Sequence, residues 1–148
     1  MKRKVLFLCS GNSARSQMAE AIVNARLGDE WQAFSAGTEP AATVYPAARR
    51  ALAEIGIEHQ GHTKGVAEFR DVPFDLVVTV CDNAAENCPL WLGKGRRIHL
   101  SFPDPAKATG TEAEIMGEFR KVRDDIRRQM VSFLQEELRV SAKEKTAG

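Results

Sequence analysis

The sequence has few cysteines and few aromatic residues. Its 148 residues contain three cysteines, Cys9, Cys81 and Cys88, and aromatic side chains make up only 7% of the chain. A small, odd number of cysteines does not suggest the disulfide framework of a small secreted domain. We therefore expect free thiols in a reducing compartment, where a cysteine is a core residue, a metal ligand or a reactive group.

Net charge and long apolar segments are also lacking. The formal net charge is +1, and no apolar run approaches the roughly 20 residues that cross a membrane. A nearly neutral chain has no overall field that attracts nucleic acid or an anionic membrane. We expect a cytoplasmic monomer that binds neither of them and that recognises any anion through a local site.

Apolar runs typical of buried strands alternate with segments of helical periodicity. Strands are predicted at residues 4–8, 32–35, 75–80 and 97–100, and helices at 15–27, 46–55 and from Thr111 onwards. The last helix opens with a capping box formed by Thr111 and Glu114. The alternation predicts an α/β fold, a three-layer sandwich around an open four-stranded parallel sheet. One domain spans residues 1–140, and residues 141–148 lack hydrophobic periodicity and are expected to form a flexible tail.

The stretch "CSGNSARS" at residues 9–16 follows the first predicted strand and opens the first predicted helix. Gly11 and Asn12 tolerate the backbone angles of a loop whose amides wrap around an anion. Such an anion-binding nest at a helix N-terminus would consist of Ser10, Gly11, Asn12, Ser13, Ala14 and Arg15. The same residues also fit a tight turn with a buried cysteine and a surface arginine.

Three side chains would make this nest reactive. The guanidinium of Arg15 can bind two oxygens of a tetrahedral oxyanion at once. The positive field of the helix N-terminus favours the thiolate of Cys9, a nucleophile aimed at the central atom of the bound anion. The hydroxyl of Ser16 can donate a hydrogen bond to the Cys9 sulfur. A nucleotide P-loop is excluded, because no Gly-Lys-Ser/Thr sequence follows.

The other two cysteines lie close together in the sequence. Cys81 directly follows the third predicted strand, and the polar segment 82–87, a predicted short helix, separates it from Cys88. A helix N-terminus beside Cys81 favours a thiolate there. Two structural cysteines remain an alternative, whereas a zinc site lacks the usual paired ligand spacings. Its other candidate ligands, expected here as surface or packing residues, are His59, His62 and His99.

An acidic residue, Asp104, precedes Pro105 after the fourth predicted strand. A carboxyl group beside an oxyanion site can protonate a leaving oxygen, and Asp-Pro is equally an ordinary turn dipeptide. Ligands of open α/β sheets bind beyond the carboxyl ends of the strands. We therefore expect residues 9–16, Cys81 and Asp104 to meet at one edge of the sheet.

Several of these stretches together resemble a known family. The opening "VLFLCSGNSARSQMAEAI" and the later "FSAGTEP", "GHT", "LVVTVCDNAAENCP" and "FPDPA" are similar to the low-molecular-weight protein tyrosine phosphatases. They are also similar to the thioredoxin-coupled arsenate reductases built on that fold. The first loop is shared by the whole superfamily, whereas the segment from Cys81 to Cys88 is specific to the reductases.

The resemblance implies a reaction and its residues. Arsenate would bind in the 10–15 nest with Arg15 and Ser16 supporting Cys9, which attacks the arsenic, and Asp104 would protonate the departing oxygen. Cys81 would attack Cys9 and release arsenite, and Cys88 would then take over the disulfide with Cys81. Thioredoxin would supply the electrons, and no cofactor would be tightly bound. Phosphate and sulfate would act as mimics of arsenate.

The chain departs from the family pattern in three places. Relatives with phosphatase activity carry tyrosines after the Asp-Pro pair, whereas the only tyrosine here is Tyr45, which argues against a cleft for phosphotyrosine. Ala14 replaces a second loop cysteine. Some arsenate reductases bind potassium through residues that match Asn12, Glu20 and Ser35. We expect no metal here, because the Lys64 ammonium can replace the charge of that cation.

Two other functions remain open from the sequence. One is a low-molecular-weight phosphatase that uses only Cys9, Arg15 and Asp104. The other is a binding module that senses an oxyanion or the redox state through the same loop without turnover.

Overall fold

A computed structural model describes residues 2–82, 91 and 93–147, with side chains up to residue 140. Its four strands are β1 (Arg3–Cys9), β2 (Trp31–Gly37), β3 (Leu76–Thr79) and β4 (Arg96–His99). All of them pair in parallel, in the order β2-β1-β3-β4. The predicted open, four-stranded parallel sheet is therefore confirmed, and the first strand occupies an inner position.

The three helices are α1 (Arg15–Arg26), α2 (Pro46–Glu54) and α3 (Glu112–Ala147). Short 3-10 turns at Val66–Phe69 and Pro105–Lys107 complete the described elements, and the sequence had predicted neither. All but the first residue of the predicted helix at 82–87 lie outside the described residues. No helix in the described part of the chain is long and apolar enough to cross a membrane.

Alternation along β1 divides the core between the two faces of the sheet. Val5, Phe7 and Cys9 face the cluster formed by the helices, which includes Met18, Ile22, Leu52, Phe119 and Ile126. Leu6 and Leu8 face a second cluster, which includes Phe74, Val77 and Trp91. Because β1 is buried on both faces, its continuous apolar run shows no polar alternation.

The last helix begins as predicted and ends later than predicted. The Glu114 amide donates to Thr111 Oγ1 over 3.1 Å, and the Thr111 amide donates to a Glu114 carboxylate oxygen over 3.4 Å, as in a capping box. Residues 141–147, expected to be a flexible tail, continue α3 as helix. Alanine, lysine and glutamate in this segment favour helix, and residues 141–147 contain no glycine or proline.

β3 is shorter than the predicted strand at 75–80. It ends at Thr79, which pairs with Leu8 of β1, and Cys81 lies beyond it. The Val80 amide still donates to the Leu8 carbonyl over 2.9 Å. Cys9, the last residue of β1, and Cys81, two residues beyond β3, therefore lie at the carboxyl ends of adjacent parallel strands, at the same edge of the sheet.

Candidate active site

The loop at residues 10–14 connects the end of β1 to the start of α1. Ala14 occupies the N-cap position, and no side chain caps the first turn of the helix. The first amides of a helix have no partner within the helix. An uncapped N-terminus at the edge of the sheet therefore presents donors and the positive end of the helix dipole to an anion.

The carbonyl groups of this loop are held away from its interior. The amides of Glu39, Ala41 and Tyr45 donate to the carbonyls of Ser10, Gly11 and Ser13 over 2.8–2.9 Å. The Asn12 carbonyl accepts from the side chain of Gln17 over 3.1 Å, and that of Ala14 accepts from Met18 within the helix. Because these carbonyl oxygens accept hydrogen bonds from groups outside the loop, the backbone N–H groups can point into its interior. The segment 39–45, which sequence reasoning missed, thus supports the predicted nest.

Asn12 is the residue that adopts the unusual backbone angles. Its φ is 51°, the only positive value at a non-glycine position among the described residues. Gly11, which was expected to contribute in the same way, does not have a positive φ, and a Cβ there would meet only Ser13 Oγ at 3.4 Å. The loop geometry therefore depends on the asparagine, whose short polar side chain tolerates the left-handed region.

Cys9 lies at the floor of the loop as a free thiol, 2% exposed. Its Sγ lies 2.9 Å from Ser16 Oγ and accepts a hydrogen bond from the Asn12 amide over 3.3 Å. A thiolate only accepts hydrogen bonds, so in that state the Ser16 hydroxyl donates to it. Two donors on the sulfur stabilise the nucleophilic form.

Arg15 and Asp104 are brought together at the mouth of the loop. The Arg15 guanidinium is buried, donates to the Phe102 carbonyl over 3.2 Å and lies 3.7 Å from an Asp104 carboxylate oxygen. The other carboxylate oxygen of Asp104 accepts from the Ala106 amide over 3.0 Å, which fixes the acid at the start of the turn at Pro105–Lys107. Asp104 therefore lies beside the loop, as the sequence predicts.

A small cavity opens above Cys9. Its volume is about 140 Å³, and it is lined by Cys9, Ser10, Gly11, Ser13, Ala14, Arg15 and Asp104. Sites for drug-sized ligands usually measure about 300–1,000 Å³. The size and the polar lining therefore suit a small oxyanion better than a large organic substrate.

Cys81 lies at the same edge of the sheet, fully buried after β3. It is disulfide-bonded, whereas Cys9 is free. Cys88, the third predicted thiol, lies outside the described residues. The pairing of β1 with β3 brings the segments that carry Cys9 and Cys81 side by side.

Of the residues expected for a potassium site, Glu20 lies beside the Lys64 ammonium, and Ser35 donates to Glu20. Ser35 Oγ donates to Glu20 over 3.1 Å, and the Lys64 ammonium lies 3.8 Å from the same carboxylate oxygen and donates to the His62 carbonyl over 2.7 Å. Burial raises the pKa of Glu20, and the charge of Lys64 and the Ser35 hydroxyl oppose that effect. A second cation would be repelled by the ammonium, so these residues do not fit a monovalent metal ion.

Comparison with known proteins agrees with this geometry. An arsenate reductase of Halalkalibacterium halodurans is 45% identical over 133 residues, which is 89% of this chain and 95% of that protein. The structure of an arsenate reductase from Archaeoglobus fulgidus, at 35% identity, superposes with a TM-score of 0.63 over 82% of this chain and 98% of the other.

A thioredoxin-dependent arsenate reductase of Corynebacterium glutamicum shares the fold. It is 24% identical with a TM-score of 0.60, over 91% of this chain and 63% of the other. The sequence profile of the low molecular weight phosphotyrosine protein phosphatases matches residues 4–145. That match includes the loop around Cys9 and all of the described elements except the first residue of β1 and the last two residues of α3. The chain therefore belongs to this family.

Proposed function

We propose that this chain is a thioredoxin-coupled arsenate reductase. The observation that carries the proposal is a pair of cysteines at one edge of the sheet: a free Cys9 at the floor of the loop and a disulfide-bonded Cys81 after the neighbouring strand. A phosphatase needs only the first of these. The arsenate reductases that resemble the chain over most of its length support the same substrate.

The first step is attack on arsenate. The oxyanion binds to the amides of residues 10–15 and to Arg15, and the Cys9 thiolate displaces one oxygen from arsenic(V). Asp104 supplies a proton to that oxygen, which leaves as water. The inward-facing amides and the guanidinium stabilise the negative charge that develops during this displacement.

The second step transfers the electrons. The Cys81 thiolate attacks the Cys9 sulfur and forms a Cys9–Cys81 disulfide, while the electron pair of the broken sulfur–arsenic bond stays on arsenic, which leaves as arsenite. Cys88 then attacks Cys81, which releases the Cys9 thiolate and leaves a Cys81–Cys88 disulfide. Thioredoxin reduces that disulfide with two electrons by thiol–disulfide exchange. No tightly bound cofactor takes part.

Counting thiols tests the relay directly. The fully reduced protein is mixed with arsenate in the absence of a reductant, and free thiols are counted after one round. The relay leaves one of the three thiols, and peptide mapping should identify it as Cys9. A phosphatase or a non-catalytic sensor keeps all three, which would contradict the proposal.

Steady-state turnover supplies the second readout. NADPH oxidation is followed with arsenate, thioredoxin and thioredoxin reductase for the wild type, Cys81→Ser and Cys88→Ser. Both variants should lose arsenate-dependent turnover, because each lacks one thiol of the relay. Hydrolysis of an aryl phosphate by Cys81→Ser at the wild-type rate would show that the anion-binding nest is intact. Wild-type turnover by Cys88→Ser would show that the three-cysteine relay is wrong.

A further inference from the structure

His59 contacts the active-site loop from a position outside every motif named above. It follows α2, and its side chain is only 12% exposed. Its Nε2 lies 2.7 Å from Gln17 Oε1, and Gln17, on α1, is fully buried beneath the loop. Nothing in the reaction described above uses either side chain.

The surrounding backbone groups fix the orientation of the Gln17 amide. Gln17 Nε2 lies 3.1 Å from Asn12 Oδ1 and also faces two carbonyl oxygens, so one of its two N–H groups is shared between two acceptors. The carbonyl oxygens are that of Asn12 at 3.1 Å and that of His62 at 2.9 Å. Both of these groups only accept hydrogen bonds, so the nitrogen of the amide must point toward them. The oxygen of the amide therefore points toward His59, and His59 must donate to it from Nε2.

The orientation of the Asn12 side chain is fixed in the same way. Asn12 Oδ1 accepts from the Lys64 backbone amide over 2.9 Å and from Gln17 Nε2 over 3.1 Å. A backbone amide only donates, so the oxygen lies on that side and Nδ2 lies on the other. Nδ2 donates to Ser16 Oγ over 2.8 Å.

These contacts form a single chain of hydrogen bonds that all run in one direction. When Cys9 is a thiolate, His59 donates to Gln17, Gln17 to Asn12, Asn12 to Ser16, and Ser16 to the Cys9 sulfur over 2.9 Å. Hydrogen bonds arranged head to tail polarise one another in a low-dielectric interior. We propose that His59 is a positioning residue for the Cys9 chemistry, the first donor of a buried hydrogen-bond chain that ends on the nucleophilic sulfur.

The packing around His59 supports this role. A Cβ on Gly61 would lie 2.4 Å from His59 Nε2 and 2.7 Å from Gln17 Oε1, so the bond between them needs a residue without a side chain there. Burial, together with the charges of Lys64 and Arg49, lowers the pKa of His59. The lowered pKa favours the neutral imidazole, and the bond to Gln17 requires its proton to be on Nε2, which lies 3.8 Å from Glu20.

The test measures the reactivity of Cys9 without arsenate. The reduced protein is treated with iodoacetamide at one fixed pH, and the alkylation of the Cys9 peptide is followed by mass spectrometry. The variants are His59→Leu, which has no donor, His59→Gln, whose amide can replace Nε2, and His59→Asn, whose amide is one methylene too short. His99→Leu, on the exposed side of β4, is the matched control.

We expect His59→Leu and His59→Asn to slow alkylation by about threefold to tenfold, the ratio expected for one net hydrogen bond. His59→Gln should stay within about twofold of the wild type, as should the control. Equal rates for all variants would overturn the inference. So would a His59→Gln variant as slow as His59→Leu, because the effect would then arise from packing. His59→Asn keeps a polar side chain, so the comparison with His59→Gln stands even where His59→Leu does not fold.

The effect of His59 on arsenate reduction rests on the proposed function. There, kcat/KM for arsenate should fall by the same factor as alkylation in His59→Leu, because attack by Cys9 is the affected step. If the wild type does not reduce arsenate, the proposed function is wrong, and the alkylation rates still decide the role of His59.

Discussion

A Cβ on Gly37 would lie 2.5 Å from the carbonyl oxygen of Ser10. Gly37 ends β2, and the same Cβ would lie 2.9 Å from the Asn12 amide nitrogen. The glycine of the "SAG" stretch thus allows the second strand to pass directly against the backbone of the active-site loop. Both neighbouring atoms belong to the backbone, so neither can rotate away.

Gly37→Ala should therefore destabilise the protein and distort the loop. We expect a loss of about 1–3 kcal/mol in the free energy of unfolding, the usual effect of overpacking, together with a lower kcat/KM. Urea unfolding with an unchanged m-value measures the first quantity. Gly117→Ala is the matched control, because a Cβ there meets nothing within 4 Å on α3 and should stabilise the helix by up to about 1 kcal/mol. Equal unfolding midpoints for the two variants would contradict this account of Gly37.

The parts of this site that the sequence predicted are those with local signals. A buried strand, a loop with glycine and asparagine, and a helix are all encoded within residues 4–27, so Cys9, Arg15 and Ser16 were found at once. Parallel pairing placed Asp104 and Cys81 at the same edge of the sheet, because strand ends meet there. The resemblance to a family added the roles of these residues.

The supporting contacts could not be predicted, because they join residues far apart in the chain. The Gln17 side chain donates to the His62 carbonyl, which is 45 positions away in the sequence. The Lys64 backbone amide donates to the Asn12 side chain, which is 52 positions away. No local pattern distinguishes His59 from an ordinary packing histidine, which was the expectation here. The sequence also could not show which of Gly11 and Asn12 adopts the left-handed backbone angle, because both residues tolerate it. Only the packed structure selects Asn12.

Asp104 should act as an acid and not only as an anchor for its turn. One oxygen accepts from the Ala106 amide, whereas the other lies beside Arg15. Asp104→Asn keeps an acceptor for the amide and loses the carboxylic proton, so the turn should persist while kcat falls by about 100-fold or more. Arsenate-dependent NADPH oxidation measures the effect. Asp71→Asn, at an exposed position before β3, is the control, and a decrease of less than about twofold in Asp104→Asn would exclude the acid role.

Arsenate reduction by the wild type should not depend on potassium. The Lys64 ammonium lies 3.8 Å from Glu20, where a cation would otherwise balance the buried carboxylate. Rates in potassium chloride and in choline chloride of equal ionic strength should therefore agree. Lys64→Met should lower kcat/KM in both salts, because it leaves Glu20 without its nearest cation. A wild-type enzyme that is faster in potassium chloride would show that Lys64 does not replace the metal ion.

Glu54 should make the stability of the protein depend on pH in the acid range. Its hydrogen bonds with Arg120, supported by those with Arg123, lower its pKa from 4.5 to about 2 and tie the end of α2 to α3. A carboxyl group with a lowered pKa in the folded state stabilises it above the unfolded value, and that contribution disappears as the pH falls toward the folded value. Glu54→Gln should therefore lower the Tm at pH 7, and the difference from the wild type should shrink below about pH 4.5 and vanish near pH 2. Glu58→Gln, at an exposed position beyond α2, is the matched control, and a difference in Tm that persists unchanged at pH 2 would mean that Glu54 acts through packing.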